Sequence, residues 1–180
     1  MGQSEQDRVF DEWLLCLART GDKRAGERLA ARWYPKLTRT ALRLLGDREQ
    51  ALEVVQEAWL GICRGWNSLN DTAKFPAWAF GILHRKCSDR IRRNVRERAT
   101  LDDKPNRVEP SEPMRAELRL EIDQALRTLS PEHRLTAILF FGEGLTLTEL
   151  AAATGVPVGT AKSRVFHARK LLKSSLKGDE

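Results

Sequence analysis

Apolar residues recur along most of this chain at spacings of three and four, the period of a helix packed on one side. Val9, Phe10, Trp13, Leu14 and Leu17 predict a first helix, closed by Gly21-Asp22. Leu29, Trp33, Leu37, Ala41, Leu44 and Leu45 predict a second, with Pro35 expected to kink or split it. Gly46 breaks the chain, and Asp47 is placed to cap a third helix. There Leu52, Val55, Trp59 and Ile62 form the expected inward stripe, which leaves Glu53, Gln56 and Glu57 on the surface. Residues 66–73 read as a polar loop. Phe75-Pro76 then starts a helix that runs through Ile82, Leu83, Cys87 and Ile91 to residue 98.

The periodicity lapses over 99–113. Pro105, Pro110 and Pro113 stand there with Asp102, Asp103, Glu109 and Glu112, a composition that predicts a flexible acidic linker. The helical pattern resumes at Met114 with Leu118, Ile122, Ala125, Leu126 and Leu129. Ser130-Pro131-Glu132 opens another helix, which continues to Gly142. Thr146 with Glu149 fits a capping box for a short helix that Gly155 ends. Pro157 starts the last helix, whose Ala161, Val165, Ala168 and Leu172 make a buried stripe. The predicted fold is all-α: helical domains at 1–98 and 114–180 joined by the linker 99–113, with a helix-turn-helix in the second.

Charge gives that last motif a direction. The chain of 180 residues carries a net charge of +6, which suits an anionic partner such as nucleic acid. The last helix leaves Thr160, Lys162, Ser163, Arg164, Phe166, His167 and Lys170 outside its stripe, with Arg169 beside them. Residues 159–177 contain six cations and no acid. A basic second helix of this kind enters the DNA major groove. Near its N-terminus Lys162 can bond guanine acceptors, Ser163 a base or a phosphate, and Phe166 a thymine methyl. Arg164 and Arg169 fit phosphate contacts or helix packing. An amphipathic hairpin with solvated lysines has the same outline, but the acid-free face and the capped short helix favour DNA. Residues 85–98 add seven cations, among them Arg85, Arg90, Arg92 and Arg93, against Asp89 and Glu97. They make a candidate second DNA surface.

Other chemistries find little support. Cys16, Cys63 and Cys87 are odd in number and far apart, which fits reduced thiols in the cytoplasm. His84 and Cys87 stand one turn apart, but no second pair at ligand spacing accompanies them, which argues against a metal. There is no Gly-rich phosphate loop, triad spacing or metal cluster, so neither an enzyme nor a cofactor is expected. No run of eighteen apolar residues and no signal peptide is present, so a membrane-spanning or exported chain is not expected.

Leu129-Ser-Pro-Glu-His-Arg134, Glu143-Gly-Leu-Thr-Leu-Thr-Glu-Leu-Ala151 and Gly159-Thr-Ala-Lys-Ser-Arg-Val-Phe-His-Ala-Arg169 together resemble region four of the extracytoplasmic function (ECF) sigma factors, bacterial promoter-recognition subunits of RNA polymerase. Gln50-Ala-Leu-Glu-Val-Val-Gln-Glu57 resembles the Asp-Ala-Glu-Asp-Leu-Val-Gln-Glu helix of region two, matching at Ala51, Val55, Gln56 and Glu57 and departing at Gln50 and Leu52. Phe75-x-x-Trp78 and Asp89-Arg-x-Arg-Arg93 extend the likeness to the basic helix of region two. The resemblance implies that Glu53, Gln56 and Glu57 bind core RNA polymerase. It assigns Arg85, Arg90, Arg92 and Arg93 to the minus-ten element, and the loop with Asn67 and Asn70 to capture of an unstacked base. It gives the last helix the minus-thirty-five element and threads the linker through the channel that later carries RNA. Family members commonly have Asn where Arg85 stands and Arg where His167 stands. Many are held by an anti-sigma factor, which would use the same two domains. The competing reading, a free-standing helix-turn-helix regulator, leaves the docking helix and the first basic helix without work.

Overall fold

The computed structural model describes residues 4–98 and 113–176, with side chains described for 4–97 and 121–176. Among the described residues every regular element is helical. In order these are α1 (Glu5–Arg19), α2 (Lys23–Leu45), α3 (Arg48–Gly65), α4 (Phe75–Arg98), α5 (Pro113–Thr128), α6 (Pro131–Ala137), α7 (Leu147–Thr154) and α8 (Val158–Leu176). The all-α expectation is met. The expected linker lies outside the described residues except for Pro113, which already opens α5.

Local signals set most helix ends. Asp22 and Asp47 accept hydrogen bonds from the backbone N–H groups of Ala25 and Gln50 at 3.1 and 2.9 Å. Gly46 and Gly155 end α2 and α7 with φ of 70°, a left-handed conformation that glycine adopts without Cβ strain. Pro35 does not split α2. The helix runs uninterrupted across it, because Trp33 and Leu37 on either side are fully buried and hold the flanking turns in place.

In the first half, Trp33 packs edge-on to Phe75 at 4.8 Å and lies 5.5 Å from Phe80. Its indole N–H donates to the buried carboxylate of Asp11 at 2.9 Å. Arg32 also bonds Asp11, at 2.5 Å, so that carboxylate is charge-balanced where it ties α1 to α2. The inward stripe of α3 differs from the expectation. Ala51, Val54, Val55, Ala58 and Ile62 are buried, whereas Leu52 is exposed and Trp59 only half-buried. Because α3 packs against both α2 and α4, its two inward alanines let neighbouring helices approach closely, and that outweighs the larger apolar area of Leu52.

The two halves share one continuous buried cluster. Its seam joins α4 to α7. At Gly81 a Cβ would lie 3.4 Å from the Ala153 carbonyl oxygen, so glycine sets how closely these helices approach. Between α6 and α7 the chain makes a π-helical turn, Ile138–Gly142. Such single turns are often associated with functional sites. Here the turn delivers the buried carboxylate of Glu143 to Arg39 and Thr40 of α2.

Candidate nucleic-acid interface

The helix-turn-helix forms through local chemistry. Thr146 Oγ1 accepts from the Glu149 N–H at 3.2 Å, and the Glu149 carboxylate accepts from the Thr146 N–H at 2.7 Å. That closes the expected capping box. Ala161, Val165 and Ala168 are buried against the rest of the unit. Pro157 immediately precedes α8, and its carbonyl accepts from Ala161 at 3.0 Å. Behind the unit, Arg134 donates to the carbonyls of Leu126, Arg127 and Leu129 around the C-terminal end of α5, where carbonyls lack helical partners.

Of the α8 residues singled out from the sequence, Lys162, Ser163, Phe166, His167, Arg169 and Lys170 are exposed, while Thr160 is half-buried. Phe166 is 65% exposed, a large apolar ring left mostly in solvent. Arg164 is turned back, donating to Glu132 at 2.7 Å. The Arg169 guanidinium lies 5.5 Å from the centre of the Phe141 ring, a cation–π arrangement. These two arginines anchor the helix, and the set between them faces solvent. His167 meets His133 edge-on at 6.1 Å and Phe166 at 5.6 Å.

The second basic surface is organised differently. Arg85, Arg92 and Arg93 are exposed on α4, and an open groove of about 480 Å³ is lined by Asp89, Arg92, Arg93 and Arg96. Arg92 pairs with Asp89 within the helix. Arg90 differs from the sequence expectation: it is half-buried and donates to Glu53 of α3 at 2.6 Å. Lys86 donates to Glu57 at 2.9 Å, and Asn94 to Gln50 at 2.7 Å. An antiparallel polar ladder thus joins α3 to α4, and Gln50 has a structural partner. The Lys86 hydrogen bond holds the Glu57 carboxyl below its usual pKa. Gln56 is exposed on α3, as are Leu52 and Leu60.

The loop ahead of α4 holds Asn67 and Asn70, both exposed. It contains two short 3₁₀ turns, Trp66–Ser68 and Thr72–Lys74. Arg19 of α1 donates to the carbonyls of Leu69 at 3.1 Å and Asn67 at 3.3 Å, fixing the loop from outside. Sequence reasoning missed Arg19 because its partners are backbone oxygens about fifty positions away.

His84 and Cys87 are poor metal ligands here. Burial drives the Cys87 thiol up to about 12, so it is a protonated core side chain. Burial also lowers the His84 pKa, and the ring bonds the Ala153 backbone at the α4–α7 seam. Among the described residues no three His, Cys, Asp or Glu side chains gather as a metal site, and no helix is long and apolar enough to cross a membrane.

Comparison with known proteins covers both halves. Residues 29–97 match the family described as Sigma-70 region 2, and residues 119–172 match Sigma-70, region 4. The chain is 35% identical over 145 residues to the ECF RNA polymerase sigma factor SigL of Mycobacterium tuberculosis, covering 78% of this chain and 82% of that protein. Among solved structures it is similar to the sigma factor RpoE in complex with the anti-sigma factor NepR from Bartonella quintana, with a TM-score of 0.74 and 27% identity over 86% of this chain and 98% of that one. It is also similar to CnrH in complex with the cytosolic domain of CnrY, with a TM-score of 0.71 and 25% identity over 95% of this chain and 99% of that one.

Proposed function

The chain belongs to the extracytoplasmic function RNA polymerase sigma factors, and on that premise we propose how its surfaces divide the work. As a sigma factor it binds core RNA polymerase and directs it to promoters. Lys162, Ser163, Phe166 and His167 read base edges of the minus-thirty-five element, flanked by Arg169 and Lys170 at phosphates. Arg85, Arg92 and Arg93 hold the strands at the minus-ten element, and the loop with Asn67 and Asn70 receives an extruded base. On α3, Gln56 with Glu53 and Glu57 docks on polymerase, and the exposed Leu52 and Leu60 add apolar area beside them. Units spanning residues 1–98 and 114–180 carry these roles on either side of the linker.

The observation that supports this division best is that one chain exposes a capped helix-turn-helix and, separately, a second basic helix laddered to an acidic one. The protein acts as an initiation factor without catalysis of its own, in the cytoplasm where the polymerase works. An anti-sigma factor is a fitting regulator, since one of the similar solved structures is a complex of a sigma factor with an anti-sigma factor. Reconstitution with core polymerase tests the reading: the chain should co-elute with the core and start transcripts at a defined set of sites. DNA binding without retention by the core would make it a free-standing regulator instead.

A further inference from the structure

The loop between α3 and α4 is tied at both ends by its own sequence. Ser68 Oγ donates to the Gly65 carbonyl at 2.7 Å, and the Leu69 N–H donates to the Trp66 carbonyl at 3.3 Å. At the other end the Asp71 carboxylate accepts from the Ala73 N–H at 3.1 Å, and the Asp71 carbonyl accepts from the Lys74 N–H at 3.1 Å. Leu69 and Asn70 stand between these two ends. Leu69 is half-buried against the core, and Asn70 is exposed.

What holds that middle comes from α1. The carbonyls of Leu17 and Ala18 already accept from the N–H groups of Thr20, Gly21 and Asp22 at 3.1 Å, so the end of α1 does not draw on the Arg19 side chain. The Arg19 guanidinium instead donates to the Leu69 carbonyl through Nη1 at 3.1 Å and to the Asn67 carbonyl through Nη2 at 3.3 Å. Charge-assisted bonds of this kind are stronger than neutral ones, and the planar fork fixes both oxygens at once. In a trans peptide the N–H stands opposite the carbonyl. Holding the Leu69 oxygen toward α1 therefore turns the Asn70 N–H away from it. Among the described residues that N–H makes no backbone hydrogen bond. Asn70 thus carries an open backbone donor beside an exposed side-chain amide, a donor and acceptor set suited to a base edge. Arg19 itself stands ahead of residues 29–97, which carry the Sigma-70 region 2 match.

We propose that Arg19 is a positioning residue for base readout at the minus-ten element. Its hold on the Leu69 and Asn67 carbonyls orients the Asn70 backbone donor and amide toward an extruded base. The inference deepens the role proposed for this loop and rests on it. Without the brace the Leu69–Asn70 peptide is free to turn, while the cations of α4 still attract the strand. Loss of Arg19 should therefore cost base preference and leave polymerase binding in place.

The test uses the full chain assembled with core polymerase. The probe is a pool of fork-junction DNA whose single-stranded minus-ten segment is randomised, and sequencing the bound fraction gives the base preference at each position. The wild type should favour one base at the position read by the loop, and Arg19→Ala should flatten that preference about tenfold. Retention by the core, thermal unfolding and preference at the minus-thirty-five element should not change. Amide hydrogen exchange of residues 66–74 should quicken in the variant while that of α4 does not. Arg19→Lys keeps the charge without the fork and should recover only part of the preference. Should Arg19→Ala unfold early, Arg19→Lys carries the same comparison. Asn70→Ala should flatten the same position. Weaker binding of every sequence alike would make Arg19 a phosphate contact and overturn the proposal. Unchanged preference in Arg19→Ala, where Asn70→Ala still flattens it, overturns the brace alone. If Asn67→Ala and Asn70→Ala both leave the preference intact, the loop does not read the base, and the roles of loop and brace fall together.

Discussion

Helices α4 and α8 are both basic, yet they use their cations in different ways. On α8 the side chains tied to the protein sit at the flanks: Arg164 on Glu132 and Arg169 over Phe141. The exposed set between them can meet a ligand without first breaking an internal bond. On α4, Lys86 and Arg90 are joined to Glu57 and Glu53, and Arg92 to Asp89. A phosphate must compete with those carboxylates, and two of them belong to the helix proposed to face polymerase. The contrast suggests that α8 is an independent reader, whereas polymerase and DNA binding are coupled through α4.

The largest expected effect tests the independence of α8. Lys162→Ala should weaken binding at the minus-thirty-five element by about 1–3 kcal/mol and relax preference at one base pair. Core retention should not change. Holoenzyme binding to matched and single-mismatch duplexes measures this, and an equal loss on every duplex would reduce Lys162 to a phosphate clamp. Glu53→Gln should instead alter two readouts together. It frees Arg90 from a pair whose carboxylate side is open to solvent, worth about 0.2–1 kcal/mol. Open-complex formation and core affinity should both shift in footprinting and pull-down assays, and a change in only one would break the proposed coupling.

Arg169→Ala should lower affinity for all sequences alike and reduce the salt slope by about one if Arg169 meets a phosphate. An unchanged slope with lower thermal stability would leave it only as an anchor on Phe141. The smallest expected effect concerns His84, whose ordinary pKa of 6.5 is lowered by burial, with Arg85 and, from α8, Arg164 adding to the shift. The folded protein therefore favours the neutral ring. Above that value His84 is neutral whether the chain is folded or unfolded, and stability does not respond to it. As pH falls below it, the unfolded chain takes up a proton first, so the folded form should lose stability. Thermal unfolding about one unit above and below 6.5 reads the change, and His84→Gln should remove it.

The resemblance and the local patterns made the family and the helix-turn-helix legible in advance. The acid-bearing pairs of α4 were not, because exposure of Arg90 on a helical wheel says nothing about Glu53, thirty-seven positions earlier in the chain. The stripe of α3 also misled: periodicity favoured Leu52, while the structure buried Ala51 and Ala58.

What the sequence determined by itself was the set of features closed within about four residues. The Thr146–Glu149 capping box, the Asp47 cap, the left-handed Gly155 and the Ala161–Val165–Ala168 stripe all depend on neighbouring backbone groups or helical period. Only the tertiary structure decided the continuity of α2 through Pro35, the inward face of α3, the Arg19 brace on the loop and the Arg8–Glu149 pair across 141 positions. Those choices depend on which surfaces meet once helices pack, where steric fit and charge compensation act between residues that the chain places far apart.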